Sequence, residues 1–300
     1  MTTVDGGLAD TDLPGLFEAA DAASLEGQRR YVTAVRFRLI LVIVAAITGV
    51  VTWKVGSRGI DLAAIGTALA LVAISLTELT VKSVRPEDRW YDGRALAESA
   101  KSLAWRYSVG GVPFAKQDDE DAVKRRFIEQ LARLLEEAPT TSITPSRRPV
   151  VTERMAALRA SDLPTRKAAY LRSRIGDQQE WYSRKARLND KLAGRWRTAL
   201  VIFEVLGVCA ALAKAVGYVN LDLAGIVAAV IATGTAWISL RQFSTLARAY
   251  TFAANELTIA RGRLELVADE KAWAAEVADS EEAVSREHTM WRASRSRASS

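Results

Sequence analysis

Three ionisable residues stand in or beside long apolar stretches of this chain: Glu78, Glu204 and Arg241. A charge in hydrocarbon is costly and usually faces protein or water, so such groups either pair with one another or line a path for ions. Glu204 lies inside the apolar run from Thr198 to Ala213. Two roles are open to it: an ion pair with Arg241, or lining and gating a pore. Glu78 lies closer to the end of its own segment, where solvation at the interface is the simpler role.

The other chemistry-bearing residues are sparse. The single histidine, His288, adjoins Glu287 in SREHTMW. Neighbours in sequence diverge around a helix, so docking through Met290 and Trp291 suits this segment better than acid–base catalysis. One cysteine, Cys209, excludes an intramolecular disulfide and a cysteine-based zinc cluster. The acidic run Asp118 to Asp121 reads as a helix start matched to the helix dipole. No P-loop, dinucleotide fingerprint, HExxH or nucleophile elbow occurs, so no catalytic residue, cofactor or metal site is expected and the chain is not expected to be an enzyme.

A basic and aromatic stretch contains Trp181, Tyr182, Arg184, Lys185, Arg195 and Arg197. It precedes an apolar segment, where basic residues attract anionic headgroups and Trp and Tyr anchor at the interface. It is therefore expected to face lipid, and nucleic acid is not expected as a partner.

The elements that position these residues are apolar runs with few charges: residues 39–53, 62–77, 198–213 and 223–240. About 20 such residues in a helix cross a bilayer core of about 30 Å. The first run is short between Arg38 and Lys54, and spans if those side chains snorkel to the headgroups. IDLAAI at 60–65 returns as LDLAGI at 221–226, each opening the second run of a pair. Two hairpins follow, with Asp61 and Asp222 as expected caps of the returning helices. Gly207 and Ala211 in one helix, and Gly225, Ala229, Ala232 and Ala236 in the next, form small-residue stripes for close helix packing within or between chains. Lys and Arg cluster on one side of the hairpins, which is expected to place both termini and the middle region in the cytoplasm.

The expected fold is all-α, an integral membrane protein whose hairpins extend into a cytoplasmic helical stalk. Residues 1–27 read as a flexible acidic N-terminus. A first half covers 28–138, with membrane helices at about 39–57 and 60–81 and cytoplasmic helices at 86–108 and 118–138. A Thr-, Ser- and Pro-rich connector covers 139–163. The second half covers 164–293, with membrane helices at about 198–217 and 221–241. Residues 294–300 read as a disordered basic tail. Gly176 and Gly194 are the expected points of bending in the long helix leading to the third membrane segment.

The strings RMAALRASDLPTRKAAYLRSRIGDQQEWYSRKARLN and SREHTMWRAS, separated by a hairpin, resemble the SLATT superfamily of bacterial two-transmembrane proteins. RWYDGRALAESAKSLAWRYSVGGVPF, following the first hairpin, looks like a second, divergent member. The resemblance implies a tandem fusion that acts as an inner (plasma) membrane effector in prokaryotic conflict or antiphage systems. It further implies pore formation or membrane disruption, and a nucleotide-sensing or nucleotide-generating neighbour protein. It transfers no catalytic residue, and the matched Trp90, Arg94, Trp105, Tyr170, Asp177, Trp181, Tyr182 and Trp291 look architectural. The lipid bilayer and further copies of the chain are the expected partners. The alternative is a non-conducting membrane scaffold that recruits a cytoplasmic partner.

Overall fold

A computed structural model describes residues 6–138 and 143–296. The fold is all-α, and four of its helices are long and apolar enough to cross a membrane. They are arranged in two hairpins. The chain divides into two compact units, each assembled from separated pieces of sequence.

The hairpin unit comprises Arg29–Pro86 and Arg187–Ala247. Helix α1 (Gly15–Val50) stops seven residues before the expected end at 57. The reason lies in the sequence: β-branched Val50, Val51 and Thr52 favour extended backbone, and strand β1 (Lys54–Val55) then pairs antiparallel with β2 (Ile60–Asp61). Gly56 and Gly59 supply the positive φ angles of this tight turn, +78° and +62°. Asp61 closes both structures at once. Its Oδ1 accepts from Trp53 N at 3.1 Å, and from Ala63 N and Ala64 N at 3.0 and 3.3 Å at the start of α2 (Leu62–Val84).

The second hairpin joins α7 (Asp177–Ala215) to α8 (Leu223–Arg241) around Gly217. Asp222 occupies the position of Asp61 but makes no cap hydrogen bond; its carboxylate meets Lys214 at 3.0 Å across the turn. The far ends of the hairpins do repeat each other. Arg85 after α2 and Gln242 after α8 are both left-handed, at φ +47° and +49°, and both N–H groups reach the carbonyl four residues back. Few non-glycine residues adopt this conformation. A new helix begins directly after each: α3 (Pro86–Val109) and α9 (Phe243–Leu266).

The polar unit comprises Met1–Gln28, Glu87–Ala186 and Arg248–Ser300. It contains α3, α4 (Glu120–Glu136), α5 (Glu153–Ala160), α6 (Leu163–Tyr170), the start of α7, most of α9, and α10 (Glu270–Ser296). Its core is aromatic. Trp105, Tyr170 and Trp273 form an edge-to-face chain with centroids 5.7 and 5.8 Å apart, and Tyr107, Phe114 and Phe127 form a second cluster.

Two expectations give way here. The acidic N-terminus is not a flexible arm over its described residues: Leu8, Leu13, Phe17 and Ala20 are buried in this core, and α1 already begins at Gly15. Its Asp residues hid the apolar spacing that seats it. The expected connector likewise contains α5, with Met155, Leu158 and Arg159 buried. Thr152 caps this helix by accepting from Met155 N at 3.3 Å. The first four residues of the Thr-, Ser- and Pro-rich run, residues 297–300, and the side chains of Glu287, His288, Met290 and Trp291 lie outside the described residues.

Candidate functional site

The polar unit holds a set of buried arginines, unusual because such side chains stay buried only when paired. Arg159, Arg166 and Arg174 are each at most 2% exposed. The first two terminate α3, whose last carbonyls have no partner within their own helix. Arg159 donates to Tyr107 O and Phe114 O at 2.9 and 2.8 Å, and Arg166 donates to Val109 O at 2.7 Å. Trp273 Nε1 adds a second bond to Val109 O at 2.8 Å. Gly110 then turns the chain at φ +78°, a conformation glycine adopts without penalty. Outer carboxylates complete the arginines: Glu120 lies 2.7 Å from Arg159, and Glu270 bonds Arg166.

Arg174 is different, because its partner is buried too. It forms a two-pronged pair with Glu281 of α10, Nε to Oε1 at 2.9 Å and Nη2 to Oε2 at 2.7 Å. Tyr170 donates to the same Oε1 at 2.9 Å, and Arg174 Nη2 reaches Ser102 Oγ of α3 at 3.2 Å. Burial pushes the Glu281 carboxyl up, but Arg174 and the hydrogen bonds outweigh it and hold the group below its ordinary value. The same burial, reinforced by the Glu281 charge, pushes the Tyr170 phenol up, so it stays a donor. Arg174 Nη1 is buried without a hydrogen-bond partner.

Beside this pair lies a cleft of about 420 Å³ between the N-terminal segment, α3 and α7. Arg94 reaches Glu98 at 2.6 Å and Asp21 at 3.8 Å, and Lys101 bonds Asp10 at 2.7 Å while lying over the Phe17 ring. Arg184 pairs with Glu180 at 3.4 Å. Each lining cation therefore has a carboxylate already, and the cleft carries no surplus charge of one sign to select a ligand. Desolvation, with smaller contributions from Asp10 and Glu98, raises Asp21 above its ordinary value despite Arg94. Among the described residues no group of His, Cys, Asp and Glu could hold a metal ion.

Of the residues expected to face lipid, Tyr182 is instead buried against Tyr250 in the polar unit, with Trp181 packed on both rings and Lys185 lying over Trp181, while Arg184 is exposed beside Glu180. Arg195 and Arg197 belong to the hairpin unit and are exposed.

Glu204 and Arg241 do not pair. Glu204 is exposed with no partner among the described residues, while Arg241 lies over the rings of Trp237 and Phe243 at 5.6 and 5.7 Å. Glu78 is the carboxylate that does find a partner: it bonds Arg38 of α1 and lies 3.5 Å from Lys82. Thr48 and Thr67 share a hydrogen bond of 2.8 Å in the same hairpin.

Of the small-residue stripes, Gly207 packs within the hairpin and the others lie on open faces. Gly225, Ala232 and Ala236, like Ala211 on α7, are exposed, and Ala229 is partly covered. The contact face of α8 instead carries Val227, which a Cβ on Gly207 would meet at 3.2 Å, and buried Gly234, set against Leu200 and Trp196. Both faces of α8 are apolar, so composition alone did not choose between them. The two hairpins also touch within their unit: the Arg36 guanidinium lies 5.1 Å above the Trp237 ring.

Sequence reasoning missed Arg159, Arg166, Arg174 and Glu281. Their signal was the recurrence of arginine at intervals of seven and eight residues among apolar positions of α5, α6 and the following turn.

The chain matches two family models in succession. Residues 14–167 match SMODS and SLOG-associating 2TM effector domain 3, and residues 170–291 match SMODS and SLOG-associating 2TM effector domain 1. No curated protein and no solved structure matches it. The two matched ranges do not coincide with the two compact units. Ser102 and Trp105 come from the first range and Tyr170, Arg174, Trp273 and Glu281 from the second, yet all meet in one core. Two consecutive matches, each with its own apolar hairpin, make this chain a member of the SLATT family built as a tandem of two divergent copies.

Proposed function

We propose that this multi-pass membrane protein is an effector of a prokaryotic conflict or antiphage system that permeabilises the inner membrane when its polar unit receives a signal. The observation that carries the reading is the tandem match to two effector domains, each contributing one membrane-length hairpin. The hairpins support it physically. Val205, Leu206, Val208 and Leu212 of α7 are all at least half exposed, so these helices leave apolar surface for lipid or for further copies of the chain. Exposed Ala211, Ala232 and Ala236 would let such copies approach closely. The basic residues flanking α1, α2, α7 and α8 support a topology with the polar unit and both termini in the cytoplasm, where a neighbour protein of the same system would deliver the signal.

Glu204 is the residue proposed to meet water in the assembled state, since it stands exposed and unpartnered among apolar neighbours in the isolated chain. No catalytic group or cofactor is part of this reading. Expression in bacteria carrying a membrane-potential dye tests it, with and without neighbouring genes and phage challenge. Depolarisation that depends on the trigger is expected, with altered ion preference in Glu204→Gln. Cells that keep their potential under every condition, while the protein accumulates in the membrane, would leave the scaffold alternative.

A further inference from the structure

Helix α6, the segment Leu171–Gly176 and helix α7 form one uninterrupted helical run from Leu163 to Ala215. Six residues of it, Leu171 to Gly176, are wound as a π-helix. A π turn takes in more residues than an α turn, and is rare outside single-turn insertions, many of them at functional sites. If the extra residue were absorbed into α-helical winding, everything after it would turn by about 100° and shift by about 1.5 Å along the axis.

Three observations bear on whether this segment has two states. The residue that ends it is Gly176, and a Cβ there would stand 3.1 Å from the Leu171 carbonyl oxygen five positions back. Glycine thus permits the close approach that the π winding requires, at a site where alanine would favour an ordinary helix. The segment is fastened at Tyr170, which precedes it, and at Arg174 within it, since both hold Glu281. Conversion past that anchor would be taken up by α7. One side of α7 is open to it, where Asp177, Gln178, Trp181 and Arg184 line the cleft, while the other side holds Tyr182 and Ala186 in the core, so turning α7 exchanges its buried face. The buried network is also incomplete, with Arg174 Nη1 unsatisfied in the π state.

We propose that the π segment Leu171–Gly176 is a register switch, whose conversion to α-helix rotates α7, including its apolar stretch, about its own axis. This deepens the effector reading by naming the element through which a signal in the polar unit would turn a membrane helix. The switch itself is a statement about helix register and is tested without reference to membrane leakage.

The full-length protein in lipid nanodiscs carries a nitroxide on its single cysteine, exposed Cys209 of α7. Accessibility of the label to oxygen and to a water-soluble nickel chelate reads the direction it faces. Gly176→Ala is expected to shift both accessibilities, as the label leaves its present face. Gly176→Ala combined with deletion of Arg172 removes the extra residue while keeping the flanking helices in their π-state orientation, so the shift is expected to vanish. A label that does not move in Gly176→Ala, or a shift that the deletion fails to reverse, overturns the switch. A reversible shift in a protein that never depolarises cells would keep the switch and remove only the permeabilising role.

Discussion

The polar unit buries its charges and the hairpin unit exposes its hydrophobic side chains, and the contrast identifies the solvent for which each was built. Arg174 and Glu281 lie at 1% and 0% side-chain exposure, paired with each other through two hydrogen bonds. Leu69, Val208 and Leu212 stand more than 60% exposed. In water the second pattern would be unstable over so large an area, whereas lipid tails cover it at no cost in hydrogen bonds. The first pattern needs partners fixed in place, since a buried charge is tolerated only with its counterion and hydrogen bonds.

The sharpest test of the contrast removes one member of the buried pair. Arg174→Ala should cost about 3–5 kcal/mol by leaving Glu281 charged and alone, read from denaturant unfolding in detergent. Replacing both, Arg174→Met with Glu281→Leu, should recover most of the loss. If the single change costs no more than an exposed substitution, the polar unit is not organised around this pair.

Next in size is a matched pair of surface changes. Val205 is 58% exposed in the hairpin unit and Ile259 is 64% exposed in the polar unit. Val205→Arg should disfavour membrane insertion by about 2.5–3.5 kcal/mol, seen as loss of carbonate-resistant protein, whereas Ile259→Arg should stay within about 0.5 kcal/mol. Equal effects would mean that the two surfaces share one solvent.

A smaller difference divides the hairpins themselves. Asp61→Ala removes a cap and the bond to Trp53 N and should lower the melting temperature the more of the two; Asp222→Ala loses only an exposed ion pair and should lower it little. Thermal unfolding of the two variants in the same detergent separates them.

The smallest effect is a pH dependence of opposite signs within the polar unit. Glu281 and Glu120 are held below their ordinary values of 4.5, Glu120 by Arg159 and Lys116 against its desolvation. Their stabilisation is present above the unfolded carboxylate range and is lost as pH falls through the lowered values. Asp21 is raised, so it favours folding most in acid and loses that contribution as pH climbs through its folded value. Asp21→Asn should therefore raise stability at neutral pH and give no gain in acid, measured as melting temperature across pH.

Much of the hairpin unit was legible in the sequence, because charge-free runs of membrane length need no long-range information to be read. The end of α1 was misplaced because hydropathy alone ignores β-branching at Val50 to Thr52. Which face of α8 meets α7 could not be read, because an all-apolar helix has no polar side to exclude; Val227 and Gly234 make that contact. In the polar unit the helices were visible but their burial was not: acidic Asp10 and Asp12 disguised a segment whose Leu8, Leu13 and Phe17 enter the core. Gly176 marked LRSRIG as a point of irregularity, but nothing local chooses a π winding over a simple bend. Arg174 and Glu281 are 107 positions apart, and pairing at that distance leaves no periodic trace.

That separation has a consequence for biogenesis. When Arg174 is synthesised, both Glu281 and Trp273 are still to come, so the polar unit cannot close until nearly the whole chain has left the ribosome. By then both hairpins have already been made. A product truncated before α10 would carry all four membrane-length helices together with a buried arginine that has lost its counterion and an α3 end lacking its Trp273 bond. Synthesis of α10 is thus the step that completes the core of the polar unit.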